Sequence, residues 1–74
     1  MILVKTPTMI GYVSRFGITN ECDYFFVFAS FVDGSTIGVA RFKSYGEAEH
    51  YLNLVYGKLR DLTPTIVCEE VYIL

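Results

Sequence analysis

The sequence predicts an α+β fold, an antiparallel sheet of four strands with one amphipathic helix packed on one of its faces. Three observations lead to this prediction. Runs of β-branched and aromatic residues alternate with turn residues up to Phe42, an Asp-Gly pair joins two of these runs, and the apolar residues take up helical spacing after Ser44. The 74 residues are expected to form a single domain, residues 1–74, with elements in the order β-β-β-α-β.

Three strands and one turn are predicted near the two ends of the chain. Residues 8–16 are rich in β-branched and aromatic side chains, and Gly17 and Asn20 after them predict a turn. Residues 65–74 are predicted to close the chain as its last strand, because valine and isoleucine recur in them. The apolar run of residues 1–4 predicts a short extra strand at the edge of the sheet, which would make five strands in all.

A β-hairpin is predicted in the middle of the chain. Residues 22–32 form a dense aromatic and β-branched run, and Asp33 and Gly34 directly after it form the favoured two-residue turn, because both tolerate positive φ. Residues 35–42 then return antiparallel to the first run. Gly38 lies inside the returning strand, where a glycine typically marks a bulge or close packing against an aromatic ring.

One helix is predicted over residues 45–58. Ser44 and Glu47 have the spacing of a capping box, in which each side chain accepts a hydrogen bond from a backbone amide at the start of the helix. Pro64 prevents any continuation of the helix, because proline has no amide hydrogen. The apolar residues that are expected to face the sheet repeat at helical spacing: Ala48, Tyr51, Leu52, Val55 and Leu59.

Both faces of the predicted strand 22–32 are apolar. Alternate side chains of a strand point to opposite faces, so Tyr24, Phe26 and Phe28 share one face. Four strands spaced about 4.8 Å apart make a sheet about 19 Å wide, whereas a helix with its side chains is about 10 Å across. One helix therefore covers about half of one face. The remaining apolar surface must be covered by curling of the sheet, by the N-terminal segment or by another molecule.

The helix offers a second candidate surface. His50 and Leu54 are one helical turn apart, and Leu54 projects from the side opposite the apolar stripe. The candidate partner-binding residues are therefore Tyr24, Phe26, Phe28, His50 and Leu54.

No arrangement of residues indicates catalysis, a metal or a cofactor. Glu69 and Glu70 are adjacent in a predicted strand, so their carboxylates point to opposite faces and cannot form a facing acid–base pair. His50 has no second histidine with which to share a metal, and Cys22 and Cys68 lack the CxxC spacing of metal ligands. We expect a protein without enzymatic activity.

Hydropathy and charge predict a soluble, cytoplasmic protein. No apolar run approaches the roughly 18 residues of a membrane span, and the N-terminal apolar run is too short for a signal peptide. Cys22 and Cys68 are accordingly expected to be buried thiols, although a disulfide is open to them if their strands are neighbours. The formal net charge is −2 and the basic residues are spread along the chain, so phosphate is not strongly attracted.

The predicted function is that of a non-enzymatic protein–protein interaction module, a homodimer or a small inhibitor or adaptor that occupies a partner's surface. Its size suits an accessory protein of a virus or mobile element. Two alternatives stay open: stacking of single-stranded nucleic acid on the sheet face of Tyr24, Phe26 and Phe28, and binding of a small apolar ligand in a dimer groove. The acidic balance and the lack of an RNP-like motif argue against nucleic acid.

Overall fold

The computed structural model describes residues 2–58 and 65–74 and contains one sheet and one helix. The elements in chain order are β1 (Ile2–Lys5), β2 (Ile10–Glu21), β3 (Tyr24–Phe31), β4 (Thr36–Phe42), α1 (Tyr45–Lys58) and β5 (Thr65–Val67). The strand order in the sheet is β4-β3-β2-β1-β5. The predicted α+β fold with one helix on the sheet is confirmed. The sheet is mixed, because β5 runs parallel to β1 while the other neighbours are antiparallel.

The N-terminal segment is an interior strand, not the edge strand that its sequence predicts. β1 pairs with residues 10–13 of β2 on one side and with β5 on the other. Ile2 and Val4 are buried, with exposed fractions of 2% and 0%. A short apolar run indicates a strand but does not show how many neighbours the strand has, because pairing depends on distant parts of the chain.

β2 is longer than predicted and runs through the predicted turn at Gly17 and Asn20. The turn lies instead at Cys22 and Asp23, whose φ angles are 51° and 66°. A two-residue turn with positive φ at both positions is of type I′, and its twist matches that of the strands that it joins. Cys22 is therefore an exposed turn residue and not the strand residue that was predicted.

The hairpin of β3 and β4 is confirmed, but its turn has three residues and not two. Gly34 N donates to Phe31 O at 3.0 Å, and Phe31 N donates to Ser35 O at 2.8 Å. Gly34 has a φ of 96° while Asp33 keeps a negative φ, as in a type I turn closed by a bulge. Hydrogen bonds from Ser35 Oγ and N to the Asp33 carboxylate fix the turn and lower the pKa of Asp33.

The helix α1 has the predicted bounds. Glu47 N donates to Ser44 Oγ at 3.3 Å, which is one half of the predicted capping box. Four members of the predicted stripe pack in or against the core: Ala48, Tyr51, Leu52 and Val55. The other two predictions for this region, Leu59 in the stripe and Pro64 as the helix stop, lie outside the described residues.

The core lies between α1 and one face of the sheet, which we call the inner face. Its buried apolar members are Ile2, Val4, Val13, Val27, Ala29, Phe31, Val39, Ala48, Val55, Ile66 and Cys68. The opposite face, which carries Tyr24, Phe26 and Phe28, is the outer face. This division follows from alternation along β3, whose odd-numbered residues face the helix.

Residues 68–74, which we call the tail, bring the two edges of the sheet together. Cys68 N donates to Lys5 O at 2.8 Å, and Tyr72 exchanges two backbone hydrogen bonds of 2.8 and 2.9 Å with Gly38 at the free edge of β4. The chain between Cys68 and Tyr72 reaches about 14 Å, whereas a flat sheet would separate these positions by about 24 Å. The sheet therefore curls around α1. The predicted strand 65–74 is reduced to β5 and the bridge at Tyr72.

Gly38 lies at a bulge, as predicted. The register between β3 and β4 shifts so that Val27 pairs with Ala40 and Phe28 pairs with Gly38. A Cβ atom built at Gly38 would lie 2.9 Å from Tyr72 Cβ and 3.3 Å from Tyr72 O. The tail can approach β4 this closely because the residue at position 38 has no side chain.

The cysteines lie in different surroundings, and both are free thiols. Cys68 is buried in the core with an exposed fraction of 6%, and burial raises the pKa of its thiol. Cys22 is exposed in the turn between β2 and β3. The expectation of buried thiols is therefore right for Cys68 and wrong for Cys22, because the strand predicted to start at Cys22 begins at Tyr24.

We expect Gly38→Ala to lower the free energy of unfolding by about 1–3 kcal/mol, because the added methyl group must push the tail away from β4. Gly46→Ala is the matched control. No atom lies within 4 Å of a Cβ at Gly46, and alanine in a helix is favoured over glycine by up to about 1 kcal/mol. Urea unfolding followed by circular dichroism measures both changes. Equal stability of Gly38→Ala and the wild type would contradict the close approach of the tail.

Thiol labelling of the native protein is expected to show two phases. Cys22 should react at the rate of an exposed thiol, and Cys68 at least about tenfold more slowly, because burial and its raised pKa limit the thiolate. Labelling followed by mass spectrometry measures both rates, and Cys22→Ser should remove the fast phase alone. Two equally fast thiols in the native protein would be inconsistent with the buried position of Cys68.

Candidate interaction surface

The outer face of β3 carries the three aromatic side chains that the sequence assigns to one face. Tyr24, Phe26 and Phe28 are half-buried, whereas Val27 and Ala29, which alternate with them, have exposed fractions of 0%. This difference arises because α1 packs on the inner face, whereas among the described residues no helix packs on the outer face. The rings shield one another only in part.

A fourth ring joins this group from the tail. Tyr72 packs edge to face on Phe26, with ring centroids 5.5 Å apart and ring planes inclined at 63°. Tyr24 packs on Phe26 in the same manner, at 6.4 Å and 60°. Such pairs each contribute about 0.5–1.5 kcal/mol beyond the burial of their area. We call Tyr24, Phe26, Phe28 and Tyr72 the aromatic patch.

Arg41 reaches over the aromatic patch from β4. Its Cζ atom is 4.6 Å from the ring centroid of Tyr24 and 5.5 Å from that of Tyr72. The side chain is on the outer face because Arg41 pairs with Phe26 across the two strands. A guanidinium stacked on rings has a restricted plane, and the N–H donors at its edge can still bind an acceptor.

Phe28 rests on the backbone of β2. Gly17 pairs with Phe28, and a Cβ atom built at Gly17 would lie 2.4 Å from Cζ of the phenyl ring. The ring therefore covers the glycine, an arrangement that is used to stabilise glycine within strands. The Cζ atom of Arg15 lies 5.8 Å from the centroid of the same ring. Gly17 serves this ring contact and not the turn that the sequence predicts.

The orientation of Tyr72 is fixed at both of its ends. Its hydroxyl group donates a hydrogen bond of 2.7 Å to Oε2 of Glu70, and its backbone is bonded to Gly38. The hydrogen bond to Glu70 is the first cause of a raised pKa of Tyr72. These two contacts hold the ring of Tyr72 against the outer face.

The two candidate residues on the helix lie on a different surface. His50 is exposed, and Leu54 has an exposed fraction of 58%, in agreement with its predicted projection away from the apolar stripe. Because α1 covers the inner face, both residues are on the opposite side of the sheet from the aromatic patch. The five candidate residues of the sequence therefore divide between two separate surfaces.

The sequence does not predict that Tyr72 joins the patch. Tyr72 lies in a segment predicted as one continuous strand, and nothing local to that segment places its ring beside Phe26. The one available signal is Gly38, which the sequence identifies as a position of close packing without naming the neighbour.

The other end of the outer face exposes a smaller apolar group. Ile10, Tyr12 and Val67 have exposed fractions of 61%, 56% and 68%. Lys5 pairs with Ile10 on one side and with Val67 on the other, so that its charge lies between them. A lysine in such a position disfavours association through the apolar side chains around it.

The chemistry of the surface is that of stacking, ion pairing and hydrogen bonding. Among residues 2–58 and 65–74, no group of three His, Cys, Asp or Glu side chains could hold a metal ion. An open cleft of about 280 Å³ beside the aromatic patch is formed by Cys22, Asp23, Tyr24 and Lys43. It offers one thiol, one carboxylate and one ammonium group.

Within the part of the chain that the structure describes, no helix has the length and apolar character needed to cross a membrane. Comparison of the chain with protein-family models, with curated proteins and with solved structures finds no match.

Proposed function

We propose that the protein is a non-enzymatic interaction module, an inhibitor or adaptor that binds another protein through the aromatic patch and Arg41. The observation that carries this proposal is the position of the Arg41 guanidinium between the rings of Tyr24 and Tyr72, at 4.6 and 5.5 Å. Tyrosine, phenylalanine and arginine are the residues enriched in the centres of protein interfaces, where they contribute most of the binding free energy.

The patch is organised before any partner arrives. Phe26 is held between two rings by edge-to-face contacts, Phe28 lies on Gly17, and Tyr72 is bonded to Glu70. Ordering a long side chain on binding costs about 0.5–1.5 kcal/mol, and side chains that are already ordered avoid this cost. The half-buried rings can therefore contribute their remaining apolar area to an interface.

The two arginines on this face favour an acidic group on the partner, and the Glu70 carboxylate on the same face is already bonded to the hydroxyl group of Tyr72. Arg15 and Arg41 both lie beside the aromatic patch, and the edge of a guanidinium binds a carboxylate through two parallel hydrogen bonds. The partner is therefore a protein surface with apolar side chains that cover the rings and an acidic side chain that meets Arg41.

The ring contacts favour a protein partner over single-stranded nucleic acid. A base stacks on the open face of an aromatic ring. One face of Tyr24 is already occupied by Arg41, and Phe28 has Gly17 on one side and Arg15 near its ring. The formal net charge of −2 adds no attraction for phosphate.

We expect Phe26→Asp and Arg41→Glu each to weaken partner binding at least about tenfold, because the first places a charge among the rings and the second repels the acidic side chain of the partner. Leu54→Asp on α1 is the matched control and should bind as the wild type does. The immobilised wild type and variants are compared by quantitative mass spectrometry of captured proteins, and the affinities are then measured by calorimetry with the purified partner. Circular dichroism verifies that each variant is folded.

Two results would overturn the proposal. Loss of capture by Leu54→Asp with full capture by Phe26→Asp and Arg41→Glu would move the interface to the helix. Binding of a fluorescent single-stranded oligonucleotide at low salt, abolished by Phe26→Asp, would replace the protein partner with nucleic acid.

A further inference from the structure

One long edge of β2 is open within the described residues. β2 has 12 residues, and β1 pairs only with residues 10–13 of it. On its other side, β2 pairs with β3 as far as Glu21. Among residues 2–58 and 65–74, no strand pairs with the β1-side edge of residues 15–21.

The pattern of hydrogen bonds shows which backbone groups face this edge. Glu21 and Tyr24 close the two-residue type I′ turn, so they form a hydrogen-bonded pair. Hydrogen-bonded and non-hydrogen-bonded pairs then alternate along the ladder. The N–H and C=O groups of Phe16, Ile18 and Asn20 therefore point away from β3, toward the open edge.

The side chains of this edge do not protect it from pairing. Natural edges are blocked by proline, by charged side chains, by β-bulges or by short strands, and the register shift of β2 lies at the start of this stretch, between Val13 and Arg15. Residues 15–21 contain no proline, and the side chains that point to the inner face are Phe16, Ile18 and Asn20, none of which is charged. The charged side chains of the stretch, Arg15 and Glu21, stand at its two ends.

We propose that two copies of the chain pair antiparallel along this edge, with Ile18 opposite Ile18 of the second copy. A strand that pairs antiparallel with its own copy forms a two-fold symmetric interface. We name each register by the residue that lies at the two-fold axis. In the registers centred on Gly17, Ile18 and Thr19, the outward N–H and C=O groups of one copy lie opposite outward groups of the second copy. The register centred on Ile18 uses the outward groups of Phe16, Ile18 and Asn20 in both copies.

The charges select the same register. Arg15 and Glu21 lie three positions on either side of Ile18. Arg15 of each copy therefore lies opposite Glu21 of the other copy, which gives two ion pairs, one at each end of the paired stretch. Opposite side chains in an antiparallel pair lie on one face with Cβ atoms about 4.5–5.5 Å apart, and opposite charges there are favourable. The registers centred on Gly17 and Thr19 lose both ion pairs.

Among the described residues, β1 and β2 of the second copy lie along different parts of β2. β1 begins with Ile2 opposite Val13, whereas β2 of the second copy ends with Glu21 opposite Arg15. The register shift between Val13 and Arg15 separates the two. The pairing uses backbone groups at an edge and not the aromatic patch. Arg15 is shared with the proposed function, because it also lies over the ring of Phe28, so Glu21→Arg and Ile18→Pro are the variants that separate the two proposals.

Sedimentation equilibrium of charge-reversal variants tests the register. We expect the wild type to be a dimer. In Arg15→Glu and in Glu21→Arg, both ion pairs become repulsive, so the dimer dissociation constant should rise at least about tenfold. In the double variant the pairs are attractive again, so the dissociation constant should return to that of the wild type. Glu49→Arg, a charge reversal on α1, is the matched control and should leave the dissociation constant unchanged.

Monomeric wild-type protein at millimolar concentration, or a double variant as weak as the single ones, would falsify this dimer. Loss of the dimer in Phe26→Asp with full retention in Arg15→Glu would assign self-association to the aromatic patch and overturn the proposal. Ile18→Pro removes an outward N–H group without removing a bond to β3, so it should yield a folded monomer that still captures the partner. A dimeric Ile18→Pro variant would contradict the proposed edge, whereas a wild type that dimerises as expected and captures no partner would count against the proposed function alone.

Discussion

The backbone pairing of Gly38 with Tyr72 is the constraint on which the rest of the structure depends. It fixes the tail to the free edge of β4 while Cys68 remains bonded to β1, so the sheet must curl. A flat sheet of this width could not be covered by one helix, whereas the curled sheet encloses the apolar side of α1. The absence of a side chain at Gly38 is what permits the contact, since a Cβ atom there would lie 2.9 Å from Tyr72 Cβ.

The same pairing builds the outer face. The tail that closes the sheet also carries the ring of Tyr72 to Phe26 and to Arg41, at 5.5 Å in each case. The centre of the inner face is buried because α1 covers it, whereas the outer face holds rings that are only half-buried. Among its described residues, the chain thus completes one core and leaves the rings of a second apolar surface half-buried.

The two proposed contact surfaces are compatible with each other. A two-fold axis at Ile18, normal to the local sheet, keeps the outer faces of both copies on the same side. The dimer would therefore present two aromatic patches to one partner surface or to two partner molecules. A second site on the same assembly binds as an intramolecular event, so the apparent affinity can rise without any new kind of contact.

Local spacing in the sequence determined the elements that short-range interactions control. Residues close together in the chain predict four features of the structure. These are the helix at 45–58, the hairpin of β3 and β4, the shared face of Tyr24 and Phe26, and the close packing at Gly38. Tertiary structure alone decided which of the other strands are neighbours and what the tail contacts. Gly17 resembles a turn residue in the sequence because a missing side chain serves a tight turn and an overlying ring equally well. The ring of Phe28 that makes the difference comes from the next strand, and the partner of Gly38 lies at the far end of the chain, so no local window contains either contact.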